Sequence, residues 1–74
     1  MKYTIILNSV EDAYSFVDKV EKYDCDVELI SGRFHIDAKS LLGVLAMGIR
    51  KKMLMLVQDM PCEEIRSDLQ RFIA

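Results

Sequence analysis

Asp37-Ala38-Lys39-Ser40-Leu41-Leu42-Gly43-Val44-Leu45-Ala46-Met47-Gly48-Ile49 is the stretch where the chain changes character. Before Ser40, apolar residues alternate at Phe34, Ile36 and Ala38, the period of a half-buried strand. After Ser40 comes a dense apolar run, too short to cross a membrane and closed by Gly48. Ser40 stands where a helix N-cap belongs, because its hydroxyl can accept a backbone N–H bond that would otherwise go unmade. Gly48 stands where a helix-terminating glycine belongs. The stretch predicts a strand that ends at Ala38, then one short helix over 41–47. That helix is apolar for its length, with a lysine and a modifiable serine at its positive end.

Working outward toward the start, Arg33 to Ala38 follows Ser31-Gly32, a tight-turn signal, since glycine takes positive φ at little cost. Asp26 to Ile30 begins as polar/apolar alternation, so 26–38 reads as a β-hairpin. Lys2 to Leu7 is rich in β-branched and aromatic residues and reads as a strand. Between them, Ser9-Val10-Glu11-Asp12 has the form of a capping box, with two acids at the positive helix end. Val10, Ala13, Val17 and Val20 follow at helical spacing beside Phe16, predicting an amphipathic helix over 9–22. Toward the other end, Lys51-Lys52 predicts a turn. Met53 to Val57 is apolar throughout and reads as an interior strand, although composition alone leaves helix open. Asp59 and Pro61 mark a further helix start, with Ile65, Leu69, Phe72 and Ile73 as its stripe. The order β-α-β-β-α-β-α, with short connections, predicts an α+β domain over 1–74. Its sheet is four-stranded and mainly antiparallel, with three helices on one face.

Composition narrows the function classes. A chain of 74 residues is one domain with a modest core and no room for a deep enclosed cavity. Its formal charge of −2 gives no electrostatic reason to expect nucleic acid. Arg50, Lys51 and Lys52 interrupt the longest apolar region, so no membrane span is expected. Residues 1–20 lack a cationic start followed by a long apolar block, so no secretory leader is expected and the location read is cytoplasmic. Cys25 and Cys62 lie far apart; a structural disulfide is possible but not implied, and in such a context isolated thiols more often stay reduced. One histidine, with no paired-ligand spacing, predicts no metal site and no cofactor. Met47, Met53, Met55 and Met60 read as pliable core filler. Arg50-Lys51-Lys52 reads as a solvated turn, with a contact for an acidic partner as the weaker reading.

The order of elements, and Ala38-Lys39-Ser40-Leu41-Leu42-Gly43-Val44-Leu45-Ala46-Met47-Gly48-Ile49 above all, resembles the HPr family. These are the small phosphocarriers of the bacterial phosphoenolpyruvate-dependent sugar phosphotransferase system. The resemblance runs without gaps from about Ser9 to Val57. It implies an HPr-like open-faced β-sandwich and a protein that is not itself an enzyme. In the family, a histidine at the start of the first helix carries phosphate, followed two residues later by an arginine and then a proline. Aligned through Phe16-Val17, Ser9 falls at the histidine, Glu11 at the arginine and Asp12 at the proline. The loop before the helix is also several residues shorter.

A phosphocarrier needs an imidazole nitrogen to form a labile phosphoramidate. A serine hydroxyl has a very high pKa and would give a stable ester, with no base to activate it. Two carboxylates in the first helical turn repel an incoming phosphoryl group. Histidine phosphotransfer is therefore expected to be lost, with no catalytic residue in its place. His35 lies one position off the apolar alternation and should point at solvent. Ser40 matches the position at which HPr proteins of low-GC Gram-positive bacteria are phosphorylated by a dedicated kinase. Equally, it is the cap any protein of this fold would want. By the same resemblance, Leu41, Leu42 and Leu45, with Lys39, match the family's protein-docking patch. The implied partners are phosphotransferase-system enzymes, an HPr kinase or a transcriptional regulator. Nucleic acid and membrane are not among them, and a homodimer through exposed leucines is a further expectation. Three functions compete: a regulatory adaptor, a phosphocarrier with an atypical site, and a self-associating structural module.

Overall fold

The computed structural model describes residues 1–58 and 63–74. Strand β1 (Lys2–Ile6) leads into helix α1 (Val10–Val20), and a loop joins α1 to the hairpin β2 (Val27–Ser31) and β3 (Phe34–Asp37). Then come the short helix α2 (Leu41–Met47), strand β4 (Lys52–Val57), helix α3 (Glu63–Asp68) and a 3-10 turn (Gln70–Phe72). The strands form one antiparallel sheet in the order β1-β4-β2-β3.

Local chemistry explains most boundaries. Ser9 caps α1 with its Oγ 3.1 Å from the Asp12 N–H, so the predicted helix is right in place and slightly shorter at its end. Gly32 takes φ +60 in the β2–β3 turn, and Gly48 takes φ +95 where α2 stops. Both angles are costly for a residue with a Cβ. Arg50 also takes positive φ, at 63, and its N–H bonds the Leu7 carbonyl at 2.6 Å. That bond holds the α2–β4 connection onto the segment after β1.

The helix side of the sheet holds the core. Ile5, Leu29, Met53, Met55 and Val57 from the sheet, with Leu7 just after β1, meet Ala13, Phe16, Val17, Val20, Val44, Ile65, Leu69 and Phe72. Phe16 and Phe72 stack edge to face with ring centroids 5.8 Å apart, closing the first helix against the last turn. The alternation in β4 buries Met53, Met55 and Val57, as an interior strand requires, and leaves Leu54 and Leu56 half-buried on the opposite face.

Some expectations are corrected. Val10 belongs to the outer face of α1 and is 45% exposed; the buried stripe starts at Ala13. The stripe Ile65, Leu69, Phe72, Ile73 is not one helix. It breaks after Asp68 into a 3-10 turn, and Ile73 forms a β-bridge with Ile5. An edge strand with unpaired backbone competes with helix propensity here and wins the last residues. Lys52 is in β4 rather than in a turn. Cys25 is buried and disulfide-bonded, against the expectation of a reduced thiol, because separation along the chain says little about proximity in space. Asp59, Met60, Pro61 and Cys62, on which the helix start and one methionine reading fell, lie outside the described residues.

The Tyr23 hydroxyl donates a hydrogen bond to the Asp68 carboxylate, joining the turn after α1 to α3. That bond, with lesser help from burial and from the nearby negative charges of Asp68 and Glu64, pushes the phenol pKa up to about 12. The folded state holds this proton more tightly than the unfolded chain, whose tyrosine titrates near about 10. The bond's contribution is thus complete below about pH 10 and is lost as pH rises through about 12. Ultraviolet phenolate titration should show Tyr23 ionising late, and Asp68→Asn should bring it to lower pH. In the core, Phe72→Ala should cost about 3–5 kcal/mol in urea unfolding.

Candidate functional site

Two helix starts carry the residues singled out by the sequence. At the mouth of α1 the backbone of Ser9 is extended and its hydroxyl is engaged in the cap. Asp12 turns back into the mouth. One carboxylate oxygen accepts the Asn8 N–H at 3.1 Å, and the other accepts from Arg71 Nη2 at 3.1 Å. The reciprocal arm of the capping box therefore reaches Asn8, not Ser9 itself. Arg71 also lies over the Phe72 ring, 4.6 Å from its centroid, so the 3-10 turn brings a cation to the helix start. The Asp12 side chain retains 23% exposure. A carboxylate thus occupies the positive end of α1 and uses donors that could otherwise meet an anion. Glu11 is exposed beside it.

At the start of α2, Ser40 is exposed and its Oγ accepts the Gly43 N–H at 3.2 Å. Gly43 is close-set: a Cβ there would stand 3.2 Å from Ser40 Oγ and 3.4 Å from Ile36 Cδ1. The three leucines that follow are not equivalent. Leu42 projects outward at 82% exposure. Leu41 and Leu45 are half-buried and pack on the core. Lys39 is also tied down, with its Nζ donating to the Tyr23 carbonyl at 2.6 Å. Leu41 lines a shallow cavity of about 180 Å³ with Tyr14, Val17, Asp18 and Glu21 of α1.

That cavity brings in a residue the sequence reading missed. Tyr14 is 53% exposed and sits four residues from Val10 on the outer face of α1. The i, i+4 spacing of Val10 and Tyr14 was the available signal, masked by the stronger core stripe. His35 points away from all of this. It pairs across the sheet with Ile30, and its Nδ1 lies 2.8 Å from Glu28 Oε1 on the helix-free face. Among the described residues no group of three or more His, Cys, Asp or Glu is placed to hold a metal ion. No helix of the described residues is long and apolar enough to cross a membrane.

The four-stranded antiparallel sheet with its helices on one face is an open-faced sandwich that leaves Ser40 exposed and Ser9 partly exposed at its helix starts. Residues 10–59 match the family described as the PTS HPr component phosphorylation site, and the chain belongs to the HPr family. It superimposes on an HPr from Thermoanaerobacter tengcongensis with a TM-score of 0.81 at 18% identity, covering 96% of this chain and 88% of that one. A phosphocarrier protein HPr from Bacillus anthracis gives 0.80 at 15% identity, covering 100% and 96%. The Bacillus subtilis catabolite repression containing protein Crh, described as a swapped dimer, gives 0.69 at 18% identity, covering 90% and 84%. At these identities the likenesses establish the fold. No curated protein matches the sequence.

The α1 mouth gives a direct test. Asp12→Ala removes the acceptor for Asn8, the first-turn charge and the Arg71 pair, and should cost about 1–2 kcal/mol. Arg71→Ala, whose pair is largely exposed, should cost under about 1 kcal/mol. Urea midpoints of the two variants check the order. Equal effects would mean that the cap hydrogen bond contributes little.

Proposed function

We propose that this HPr-family protein has given up histidine phosphotransfer and serves as a regulatory adaptor. It docks partner proteins through the helix face and is controlled by phosphorylation of Ser40. The observation that carries the first half is the Asp12 carboxylate in the α1 mouth, held by Asn8 and Arg71. A phosphoryl group arriving there meets a fixed negative charge, and Ser9, at the nucleophile's position, already uses its oxygen as a cap. The nearest imidazole, His35, is on the other face of the sheet.

The second half rests on α2. Ser40 is exposed, and a phosphate on its oxygen would sit among free N–H groups at a helix start. Leu42, next but one, supplies an exposed apolar anchor, and Tyr14 and Val10 extend the apolar surface onto α1. Lys39, tied to Tyr23, acts in this reading as a brace for the cap rather than as a contact. The partners are phosphotransferase-system proteins or a transcriptional regulator, and the location is cytoplasmic, as the family implies. The Crh likeness, at the level of fold, fits a member of this kind.

Incubation with phosphoenolpyruvate and the general phosphotransferase enzyme should leave the protein unlabelled. An acid-labile phosphoprotein would overturn the reading. An HPr serine kinase should add one phosphate, mapped by mass to Ser40 and absent in Ser40→Ala. Capture of a partner should fall at least tenfold in Leu42→Asp, since a central exposed apolar anchor dominates a small interface.

A further inference from the structure

The helix-free face of the sheet has its own pattern. Register places Lys2, Leu56, Glu28 and Asp37 in one row across β1, β4, β2 and β3. Thr4, Leu54, Ile30 and His35 form the next row. Because side chains alternate, all eight point away from the core. Leu54, Leu56 and Ile30 stand half-buried on this face, outside the core cluster. The charges around them are sorted by strand. Lys2 is on β1 and Lys52 on β4, while Glu28 is on β2 and Asp37 on β3. Lys2 and Asp37 are both exposed and belong to neither of the two ion pairs among the described residues.

We infer that this face binds a second copy of the chain, sheet on sheet, about a two-fold axis running along the strands between β4 and β2. Such an axis exchanges left and right and keeps each row over itself. It sets Lys2 of each copy over Asp37 of the other. It sets Leu54 over Ile30 and Leu56 over Glu28, each also twice. The middle is apolar except for Glu28, and the ends carry opposite charges, so the face matches itself at Lys2–Asp37 and at Leu54–Ile30. Two sheets at about 10 Å, crossed by about 30°, leave the Lys2–Asp37 span within a lysine's reach. Glu28 enters the interface already paired with His35, which lowers the cost of covering it. A basic or an acidic partner would match only one half of this face. Four strands span less than the roughly 800 Å² per partner of a standard interface, so the association is weak and concentration-dependent. The dimer leaves the helix faces outward on opposite sides, so it stands independently of the docking role proposed for α2.

Sedimentation velocity of the intact chain, from about 20 µM to about 1 mM, reads the equilibrium in the range a small interface occupies. The wild type should move from monomer toward dimer. Lys2→Glu and Asp37→Lys should each weaken self-association by about tenfold or more, since each sets like charges opposite one another twice. Mixed in equal amounts, the two variants should associate again, because both contacts become opposite-charged. Far-UV circular dichroism confirms that both are folded. Leu54→Lys should abolish association, and Leu42→Asp should leave it unchanged. A wild type that stays monomeric, a folded pair of variants that fails to associate on mixing, or sensitivity to Leu42→Asp alone overturns the proposal. So does a dimer that ignores the charge variants and persists on dilution, the behaviour of exchanged strands.

Discussion

The fold depends on the pairing of β4 with two strands at once. It is the last strand in the sequence and sits inside the sheet, antiparallel to β1 on one side and β2 on the other. Until residues 52–57 arrive, β1 and the β2–β3 hairpin have no common partner. The rest follows from that insertion. Met53, Met55 and Val57 supply the floor on which α1 and α2 rest. The Arg50 N–H bond to Leu7 fixes how the chain enters the strand, and Gln58 N–H to Asp26 fixes how it leaves. A strand with two neighbours cannot slip in register without breaking both ladders, which is why so small a core holds one arrangement.

The same insertion explains what the helix starts can do. With β4 and β2 central, α1 and α2 lie on one face, and their N-terminal turns are left at the surface. One of these turns has been filled from within. Asp12 satisfies Asn8 and draws Arg71 across from a turn that is distant in sequence. The other remains open at Ser40. One fold thus carries two helix starts of opposite disposition, one closed by its own carboxylate and one capped by a hydroxyl facing water.

Much of the architecture was legible because local signals agreed with one another. Ser9, Gly32, Ser40 and Gly48 each mark a boundary that the backbone angles and cap bonds reproduce. Where signals were ambiguous, long-range contacts decided. Val10 fits a helical stripe as well as Ala13 does, and only the position of the sheet chooses between them. Ile73 continues a helical spacing, yet an edge strand claims it. For the site, sequence identified which residues occupy the first turns but not how they are tied. The Asp12–Arg71 pair, the Lys39 bond to Tyr23 and the inequality of Leu41 and Leu42 all come from tertiary placement. No periodicity encodes them.

Gly43 gives α2 an unusual mechanical character. Seven residues are too few for a helix to cohere alone, and a glycine inside loosens it by about 1 kcal/mol relative to alanine. Room for the Ser40 oxygen is what the missing methyl leaves free. The segment is consequently a latch with a weak spring: its first turn is held by two oxygens of Ser40, the hydroxyl taking the Gly43 N–H and the carbonyl the Val44 N–H. A change at the Ser40 hydroxyl therefore acts first on the Gly43 N–H, at the very start of the element.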